Sequence, residues 1–328
     1  MKPTLARRSF IQKSLAASVA APIVTSLEEH ALVAHAAAAS ATGAPARDAA
    51  KMPMGVIGKV KISRLICGGN LISGYAHSRD LIYLSRLLTQ YFTDQKIMDT
   101  WAICEQHGIN TMICYPGDPH AVQVYEKYRA QGGKIQYLAQ IGPKKNDLKT
   151  AVKQAVDAGA SGAFLVGNLG DQWTREGAVG LIGELISIIK DHGLISGVAG
   201  HELRVPMMVE KAGIAPDFYM KTLHSMNYWS RRQSGQDKEI IDNYGIDNYW
   251  CLDPEATVAF MRSMKRPWIA YKVLAAGAIH PREGFRHAFE NGADFAVVGM
   301  FDFQIAEDVA AVNEILAGPL HRTRPWLA

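Results

Sequence analysis

A repeated order of helix, glycine and strand is the feature that most restricts the fold of this chain. Four helix-like stretches end in a glycine that leads into an apolar run, in HGIN (107–110), AGAS (158–161), HGLI (192–195) and NGAD (291–294). Glycine often follows a helix because it adopts the left-handed conformation without strain. Strands that alternate with amphipathic helices are typical of βα units and a parallel sheet. The pattern therefore predicts an α/β fold.

The number of strands distinguishes the two common kinds of α/β sheet. The predicted strands span residues 62–69, 109–115, 135–142, 162–168, 194–200, 217–224, 267–276 and 294–300. Eight βα units favour a closed (β/α)8 barrel, the TIM barrel. An open doubly wound sheet would carry a G-x-G-x-x-G loop after its first strand, and GGNLISG (68–74) has a different order. We predict a single barrel domain over residues 51–328.

The composition excludes several classes of protein. Hydrophobic residues make up 48% of the 328 residues and charged residues 20%, so the chain can bury a large core and is not globally disordered. The formal net charge is only +4, with no basic stripe along one helix, which gives no support to nucleic-acid binding. No apolar run after the N-terminal segment approaches the ~20 residues of a membrane span. We expect a globular protein without a membrane span.

Residues 1–50 have the composition of an export signal and linker. Arg7 and Arg8 precede Phe10 and a mildly apolar run, and small-residue cleavage sites follow near residues 35–40. This arrangement resembles a signal for the twin-arginine export machinery. We therefore predict a periplasmic protein. The cysteines lack C-x-x-C spacing and are expected to be buried free thiols, namely Cys67, Cys104, Cys114 and Cys251.

Two insertions interrupt the pattern at the carboxyl ends of strands. Residues 70–92 separate the first strand from its helix, and residues 225–250 follow the sixth strand. Loops on this face build the active sites of such barrels, so we expect both insertions to cover the pocket as lids. The second insertion contains Trp229, whose ring can stack on a substrate or pack the lid against the rim.

Lys272 is the leading catalytic candidate because it lies in an otherwise apolar strand, PWIAYKVLAA. With Lys221 as a neighbouring cation, it could form an imine with a carbonyl substrate. It could instead stay charged and stabilise an enolate, or pair with Asp302 on the eighth strand without a chemical role. Alternation is expected to point Lys272 into the barrel together with Ala270 and Leu274.

Two histidines and a glutamate follow the fifth and sixth strands. His201 and Glu202 occur in VAGHELRVP, and His224 ends KTLHS. The three could bind a divalent metal, although they lack H-x-H or H-E-x-x-H spacing. Alternatively, His224 is a general acid or base oriented by Glu202, or both histidines only bind loop backbone. His201 is favoured over the histidines elsewhere in the mature chain.

Other polar side chains lie at predicted strand ends, where they converge on the pocket of a barrel. A small-molecule substrate is the expected partner of this pocket. The residues expected to bind it are Asn70, Tyr115, Gln140, Asn168, Trp229 and Gln304. The polar residues at these strand ends also include Asp118, His120 and Asp171.

The segment GKVKISRLICGGN (58–70), followed by TDQKIMDTWAICEQHGINTMICY (93–115), resembles the beginning of aldo-keto reductases. The resemblance implies a hairpin before the first barrel strand and an NADPH-dependent reduction. The family's catalytic Asp would lie near Cys114 or Tyr115, its Lys at the end of the third strand, which is Gln140, and its His at the end of the fourth, which is Asn168. No residue of the family's catalytic Asp, Tyr, Lys and His therefore carries over. The family's C-terminal nucleotide-binding loop is also not evident in VVGMFDFQIAEDVAAV. The resemblance therefore supports the fold more than the activity.

The favoured function is an exported barrel enzyme that acts on a small carbonyl or carbohydrate substrate by proton transfer. Isomerases, epimerases, dehydratases and aldolase-like lyases use such chemistry. Lys272 would be the electrophilic or imine-forming group, and His201 or His224 the acid or base. A divergent reductase and a non-catalytic glycan-binding barrel are the alternatives. A divalent metal is one candidate cofactor, and NADPH is less favoured.

Overall fold

A computed structural model of the chain describes residues 52–75, 77, 83–228, 231 and 251–328. The fold begins with an antiparallel hairpin, β1 (Met54–Ile57) and β2 (Val60–Ser63), which turns through Gly58 at a φ of 56°. Its apolar side chains join the cluster inside the barrel, so the hairpin closes the amino-terminal end of the barrel. The predicted signal segment, residues 1–50, lies outside the described residues.

The next eight strands form a closed parallel barrel. They follow one another around the barrel in chain order, and the last strand pairs with the first. They are β3 (Leu65–Cys67), β4 (Thr111–Cys114), β5 (Gln136–Ile141), β6 (Gly162–Leu165), β7 (Ile195–Gly200), β8 (Phe218–Thr222), β9 (Trp268–Tyr271) and β10 (Phe295–Val298). Each lies within one of the eight predicted strands, so the predicted single-domain (β/α)8 barrel is confirmed.

Helices surround the barrel between successive strands. They are α1 (Leu84–Tyr91), α2 (Asp94–Gln106), α3 (Pro119–Ala130), α4 (Lys149–Asp157), α5 (Gly167–Arg175), α6 (Val179–Asp191), α7 (Arg204–Lys211), α8 (Pro254–Ser263), α9 (Pro281–Glu290) and α10 (Ile305–Ala317). Local side chains start some of them: at α8 the Asp253 carboxylate accepts the Ala256 N–H at 2.8 Å, and Pro254 occupies the first turn. No helix among the described residues is long and apolar enough to cross a membrane.

Two apolar layers hold the structure together. One fills the barrel, and the other lies between the barrel and the helices. Successive residues of a strand point alternately into these layers. The interior includes Ile66, Leu138, Phe164, Phe218 and Phe295. The four cysteines are buried free thiols, as predicted.

The alternation along β9 differs from the prediction. Ile269 and Tyr271 point into the barrel, whereas Trp268 and Ala270 pack outward against the helices. The expected inward direction of Ala270 and Leu274 was therefore wrong. Strands of parallel sheets are often apolar on both faces, and β9 is one of them. Its sequence therefore does not indicate which residues face the barrel interior. Lys272 lies just beyond β9.

Residues 322–327 seal the amino-terminal end of the barrel. The Trp326 ring lies between two guanidinium groups, those of Arg322 at 3.4 Å and Arg64 at 4.1 Å from its centroid. The fully buried Asp294 accepts a hydrogen bond of 2.5 Å from Arg324. Because Arg64 and Asp294 precede β3 and β10, these contacts tie residues 322–327 to the first and last barrel strands.

Candidate functional site

The carboxyl ends of β7, β8 and β9 place three polar side chains at one level of the barrel mouth. Ala199 of β7 and Met220 of β8 point into the barrel, so His201 and Thr222, two residues further on, take the same direction. Thr222 pairs in register with Tyr271 of β9. The imidazole of His201 and the ring of Tyr271 lie 5.3 Å apart, measured between their centroids. These residues form the polar floor of the mouth.

Asp171 holds His201 in a fixed orientation. The carboxylate is fully buried, and its Oδ2 lies 2.6 Å from Nδ1 of His201. Its Oδ1 accepts the backbone N–H groups of His201 at 2.9 Å and of Glu202 at 3.0 Å. An acceptor at Nδ1 places the imidazole proton there, which leaves the lone pair on Nε2. The pair therefore has the arrangement of a histidine general base oriented by a carboxylate.

Burial keeps the imidazole of His201 neutral near pH 7. It lowers the pKa of His201 to about 4, although the neighbouring Asp171 acts in the opposite direction. The charges of Lys272 and His77 also lower this pKa. A neutral imidazole can accept a proton from a bound substrate without first losing one to solvent.

Gly167, the first residue of α5, lets the helix approach these two side chains closely. A Cβ atom at this position would lie 2.7 Å from Cε1 of His201 and 2.7 Å from Oη of Tyr271. Such distances are far below normal van der Waals contact, so a larger residue would displace one of the rings. The N-terminus of α5 is thus part of the floor of the mouth.

Lys272 follows β9 in a strained conformation. Its φ is 57°, and Ala275 and Ala276 also have positive φ values, 45° and 57°. Each such residue outside glycine is unfavourable by about 1 kcal/mol or more, and strain of this kind is concentrated at functional sites. The charge of Lys272 lowers the pKa of both His201 and His224, which places the ammonium group near the two imidazoles.

Lys221 does not share the mouth with Lys272. Alternation along β8 turns it outward with Tyr219, into the layer between barrel and helices. Its Nζ donates to the backbone oxygen of Thr222 at 3.0 Å, and burial lowers its pKa. The predicted activation of Lys272 by a neighbouring Lys221 is therefore not supported by the geometry.

His224 links two backbone segments. Its Nε2 accepts the Cys251 N–H at 2.9 Å, and its Nδ1 donates to the Ser225 oxygen at 3.0 Å. Burial lowers its pKa to about 4, which matches a neutral ring. Since backbone groups use both ring nitrogens, this geometry favours the alternative in which His224 binds loop backbone over the predicted acid or base.

Glu202 belongs to an ion pair at the rim. Its carboxylate accepts from Nε of Arg175 at 2.6 Å and lies 3.9 Å from Nε of Arg204. It does not orient His224, as was expected. Among the described residues no group of three or more His, Cys, Asp or Glu is arranged to hold a metal ion, so His201, Glu202 and His224 do not form the predicted ligand set.

Asp302 and Gln304 stabilise the turn after β10. Asp302 binds Lys96 at 2.8 Å and the Tyr91 hydroxyl at 2.5 Å. The expected pairing of Asp302 with Lys272 was therefore wrong. The side-chain oxygen of Gln304 accepts the Phe301 N–H at 3.2 Å.

The other predicted substrate-binding residues are spread around the rim. The Asn70 amide lies 2.6 Å from Nε2 of His77, and Tyr115 is 37% exposed. Gln140 shares the inward phase of Leu138 on β5, so its amide faces the barrel interior near the mouth. Asn168 is exposed in the first turn of α5. Trp229 lies outside the described residues.

Three residues of the site were absent from the predicted set: Gly167, Thr222 and Tyr271. The sequence could have indicated Thr222 and Tyr271, because each is a polar residue at a strand end, two positions after an apolar residue of the barrel interior. Asp171 lies thirty positions before His201 in the sequence and becomes its neighbour only through the path of α5.

A separate cavity of about 360 Å³ lies between the loops after β3 and β4 and helices α2 and α3. Phe92, Trp101 and Val124 line its apolar side, and Asp118 and His120 line its polar edge. It is on the half of the barrel opposite β7 and β8, and its polar edge consists of two residues that were predicted at strand ends.

Comparison with known proteins addresses the fold. No family model matches the chain. No curated protein matches it either. Two solved structures described as aldo-keto reductases from Pseudomonas aeruginosa align with 80% of the chain at 16% and 15% identity. The alignments cover 94% and 95% of those chains, with a TM-score of 0.53 in both cases. The chain folds as a TIM barrel.

A third TIM barrel aligns at a similar level. It is phospho-2-dehydro-3-deoxyheptonate aldolase from Thermotoga maritima, with 10% identity, coverage of 81% of this chain and 74% of that one, and a TM-score of 0.50. Reductases and an aldolase share this architecture, so the fold does not select between reduction and proton transfer. That choice depends on the site.

Proposed function

We propose that this chain is an exported TIM-barrel enzyme that transfers a proton on a small carbonyl or carbohydrate substrate. The observation that carries the proposal is the buried Asp171–His201 pair at the carboxyl end of the barrel, the face on which TIM-barrel enzymes carry their active sites. Isomerisation, epimerisation, dehydration and aldol cleavage share the same first step, the removal of a proton by a positioned base.

The proposed roles follow from the positions of three side chains. Nε2 of His201 takes the proton from a carbon or hydroxyl of the substrate and returns it to the product. The phenol of Tyr271, beside the imidazole, hydrogen bonds to the substrate oxygen. Lys272 supplies positive charge as that oxygen becomes negative, or forms an imine with the carbonyl carbon and releases water.

Deuterium exchange tests the proton transfer directly. The purified protein in D2O is incubated with a panel of keto- and aldo-sugars, and deuterium next to the carbonyl is measured by NMR. We expect exchange that falls by at least about 100-fold in His201→Gln and Asp171→Asn. The matched control is His192→Gln, because His192 is exposed and far from the mouth in the α6–β7 turn. Equal exchange in His201→Gln and wild type would refute the role of His201.

The pH profile gives a second test. Since the pKa of His201 is lowered to about 4, the base is already neutral above that pH. We expect the exchange rate to stay level from pH 8 to about 5 and to fall as the pH drops through about 4. A fall centred near pH 6.5, the ordinary pKa of histidine, would contradict the proposed environment.

Borohydride trapping separates the two roles of Lys272. Borohydride reduces an imine to a stable amine, so a trapped adduct at Lys272 would support imine formation. Exchange without any adduct would support the charged role. An adduct at another lysine would remove Lys272 from the mechanism.

A divergent reductase is the second candidate. Aldo-keto reductases use an Asp, a Tyr, a Lys and a His, and the mouth contains one of each: Asp171, Tyr271, Lys272 and His201. The loop after β10, which would hold the nucleotide, does not fit it. The first turn of α10 carries Glu307, and negative charge at a helix N-terminus opposes phosphate binding. NADPH titration decides between the candidates, since tight binding would favour the reductase.

Export through the twin-arginine machinery is part of the proposal. It is supported by Arg7 and Arg8, which precede Phe10 and a mildly apolar run. Cell fractionation of wild type and of the double variant Arg7→Lys, Arg8→Lys tests it. We expect the wild type in the periplasm and the variant in the cytoplasm.

A further inference from the structure

Thr222 has a buried hydroxyl that the fold does not use. The side chain is fully buried, and its Oγ1 has no hydrogen-bond partner within the described part of the chain. A buried hydroxyl without a partner is destabilising, and valine has the same shape without that cost. Because Thr222 points into the mouth between His201 and Tyr271, the natural partner of its hydroxyl is an atom of a bound ligand.

The adjacent end of α5 is also uncapped. Its N-cap residue is Val166, which has no side-chain acceptor, and the backbone N–H groups of Gly167 and Asn168 have no acceptor among the described residues. Gly167 is buried, whereas Asn168 is exposed to water. A helix N-terminus with unpaired N–H groups attracts anions.

The two features lie at the same level of the mouth. In the parallel register, Gly200 pairs with Lys221 and Thr222 pairs with Tyr271, so residues just beyond β6 and β7 stand beside Thr222. A Cβ atom at Gly167 would meet His201 and Tyr271, the same two side chains that flank Thr222. A ligand of a few atoms that reaches His201 therefore meets the helix end on one side and the hydroxyl on the other.

The carboxylates near this floor are already in use. Asp171 accepts three N–H groups, and Glu202 binds Arg175 at the rim. The oxygens of both carboxylates are thus occupied, and the positive charge of Lys272 acts on this floor against the negative charge of Asp171.

We propose that Thr222 and the N-terminus of α5 form a subsite for a small oxygen-rich carboxylate, so that the substrate is a hydroxy or oxo acid, such as a sugar acid, rather than a neutral sugar. The carboxylate accepts from the Gly167 and Asn168 N–H groups, and the neighbouring oxygen of the acid binds the Thr222 hydroxyl. The assignment rests on the proposed function for the identity of the mouth as a substrate site, and it names the class of substrate.

Selective isotope labelling tests the subsite without any turnover. Only three Val–Gly pairs occur in the chain, at Gly167, Gly180 and Gly299. Protein with 13C-carbonyl valine and 15N-glycine therefore gives three amide signals, and Gly180 in α6 is an internal control because open space surrounds it. The probes are lactate and 1,2-propanediol, which share a three-carbon skeleton and differ in the carboxylate.

We expect lactate to shift the Gly167 signal in a saturable way and to leave Gly180 unchanged, whereas propanediol moves neither. Thr222→Val should weaken lactate binding by about tenfold. The matched control is Thr100→Val, because the buried hydroxyl of Thr100 donates to the Lys96 oxygen at 2.7 Å. It should leave binding unchanged but lower the melting temperature, whereas Thr222→Val should keep or raise it.

The outcomes separate this inference from the proposed function. Equal responses of Gly167 to lactate and propanediol, or unchanged binding in Thr222→Val, would overturn the subsite even if deuterium exchange is observed on neutral sugars. A saturable lactate response without exchange on any carbonyl compound would support the subsite and refute the proton-transfer function.

Discussion

Acidification should destabilise the protein through His224, a residue that links two backbone segments. The neutral ring accepts the Cys251 N–H and donates to the Ser225 oxygen. Its pKa is lowered from 6.5 to about 4, chiefly by burial. Because the folded pKa is the lower one, the unfolded chain takes up a proton between pH 6.5 and about 4 while the folded chain does not. Stability is therefore complete above pH 6.5 and is lost as the pH falls toward 4.

The size of the effect follows from the difference between the two pKa values. A gap of about 2.5 pH units at ~1.4 kcal/mol per unit corresponds to roughly 3 kcal/mol for His224 alone. A typical domain is stable by only about 5–15 kcal/mol, so this loss should be easily measured.

Urea unfolding followed by tryptophan fluorescence at pH 7.0, 5.5 and 4.5 measures the loss. We expect His224→Gln to be less stable than wild type at pH 7 but to lose about 2–3 kcal/mol less on acidification. The exposed His192→Gln should follow the wild type at every pH. If His224→Gln and wild type lose the same free energy of unfolding between pH 7.0 and 4.5, the folded ring does not resist protonation and the argument fails.

Three further variants test the backbone and the sealed end of the barrel in the same unfolding assay. Ala276→Gly should gain about 1 kcal/mol, because glycine adopts the φ of 57° without strain, and no gain would argue against strain after β9. Gly170→Ala should lower the free energy of unfolding by about 2 kcal/mol or more, because its Cβ would lie 2.1 Å from a carbonyl oxygen of β7. The control Gly180→Ala places its Cβ in open space and should be neutral or stabilising. Asp294→Asn should cost about 3–5 kcal/mol because it leaves the buried Arg324 without its carboxylate, and a cost under about 1 kcal/mol would contradict that pairing.

The fold could be predicted because its signal is repeated. Glycines that follow helices and short apolar strands recur along the chain. An error in the bounds of one strand therefore does not change the count of eight. The phase of a single strand has no such repetition. Both faces of β9 are apolar, so the position of Lys272 just beyond it led to the wrong choice of inward-facing residues. The left-handed conformation of Lys272 could not be predicted from its residue type.

The site was predicted only in part, for a different physical reason. His201 and Lys272 stand at strand ends, where the barrel geometry alone brings side chains to the mouth. Their partners depend on long-range packing. Asp171 reaches His201 only because α5 begins at Gly167, and His224 is used by the backbone of Cys251, twenty-seven positions later in the chain. Hydrogen bonds of this kind cannot be derived from local sequence.

The stack of Arg322, Trp326 and Arg64 has a consequence for the order of synthesis and folding. Arg64 lies just before the first barrel strand, and its guanidinium group packs on a ring near the end of the chain. While the chain is still on the ribosome, the amino-terminal end of the barrel lacks this cover and the partner of Asp294. We therefore expect the barrel to reach its final form only after residues 322–326 have left the ribosome, and proteolysis of nascent chains stopped before residue 322 should be rapid.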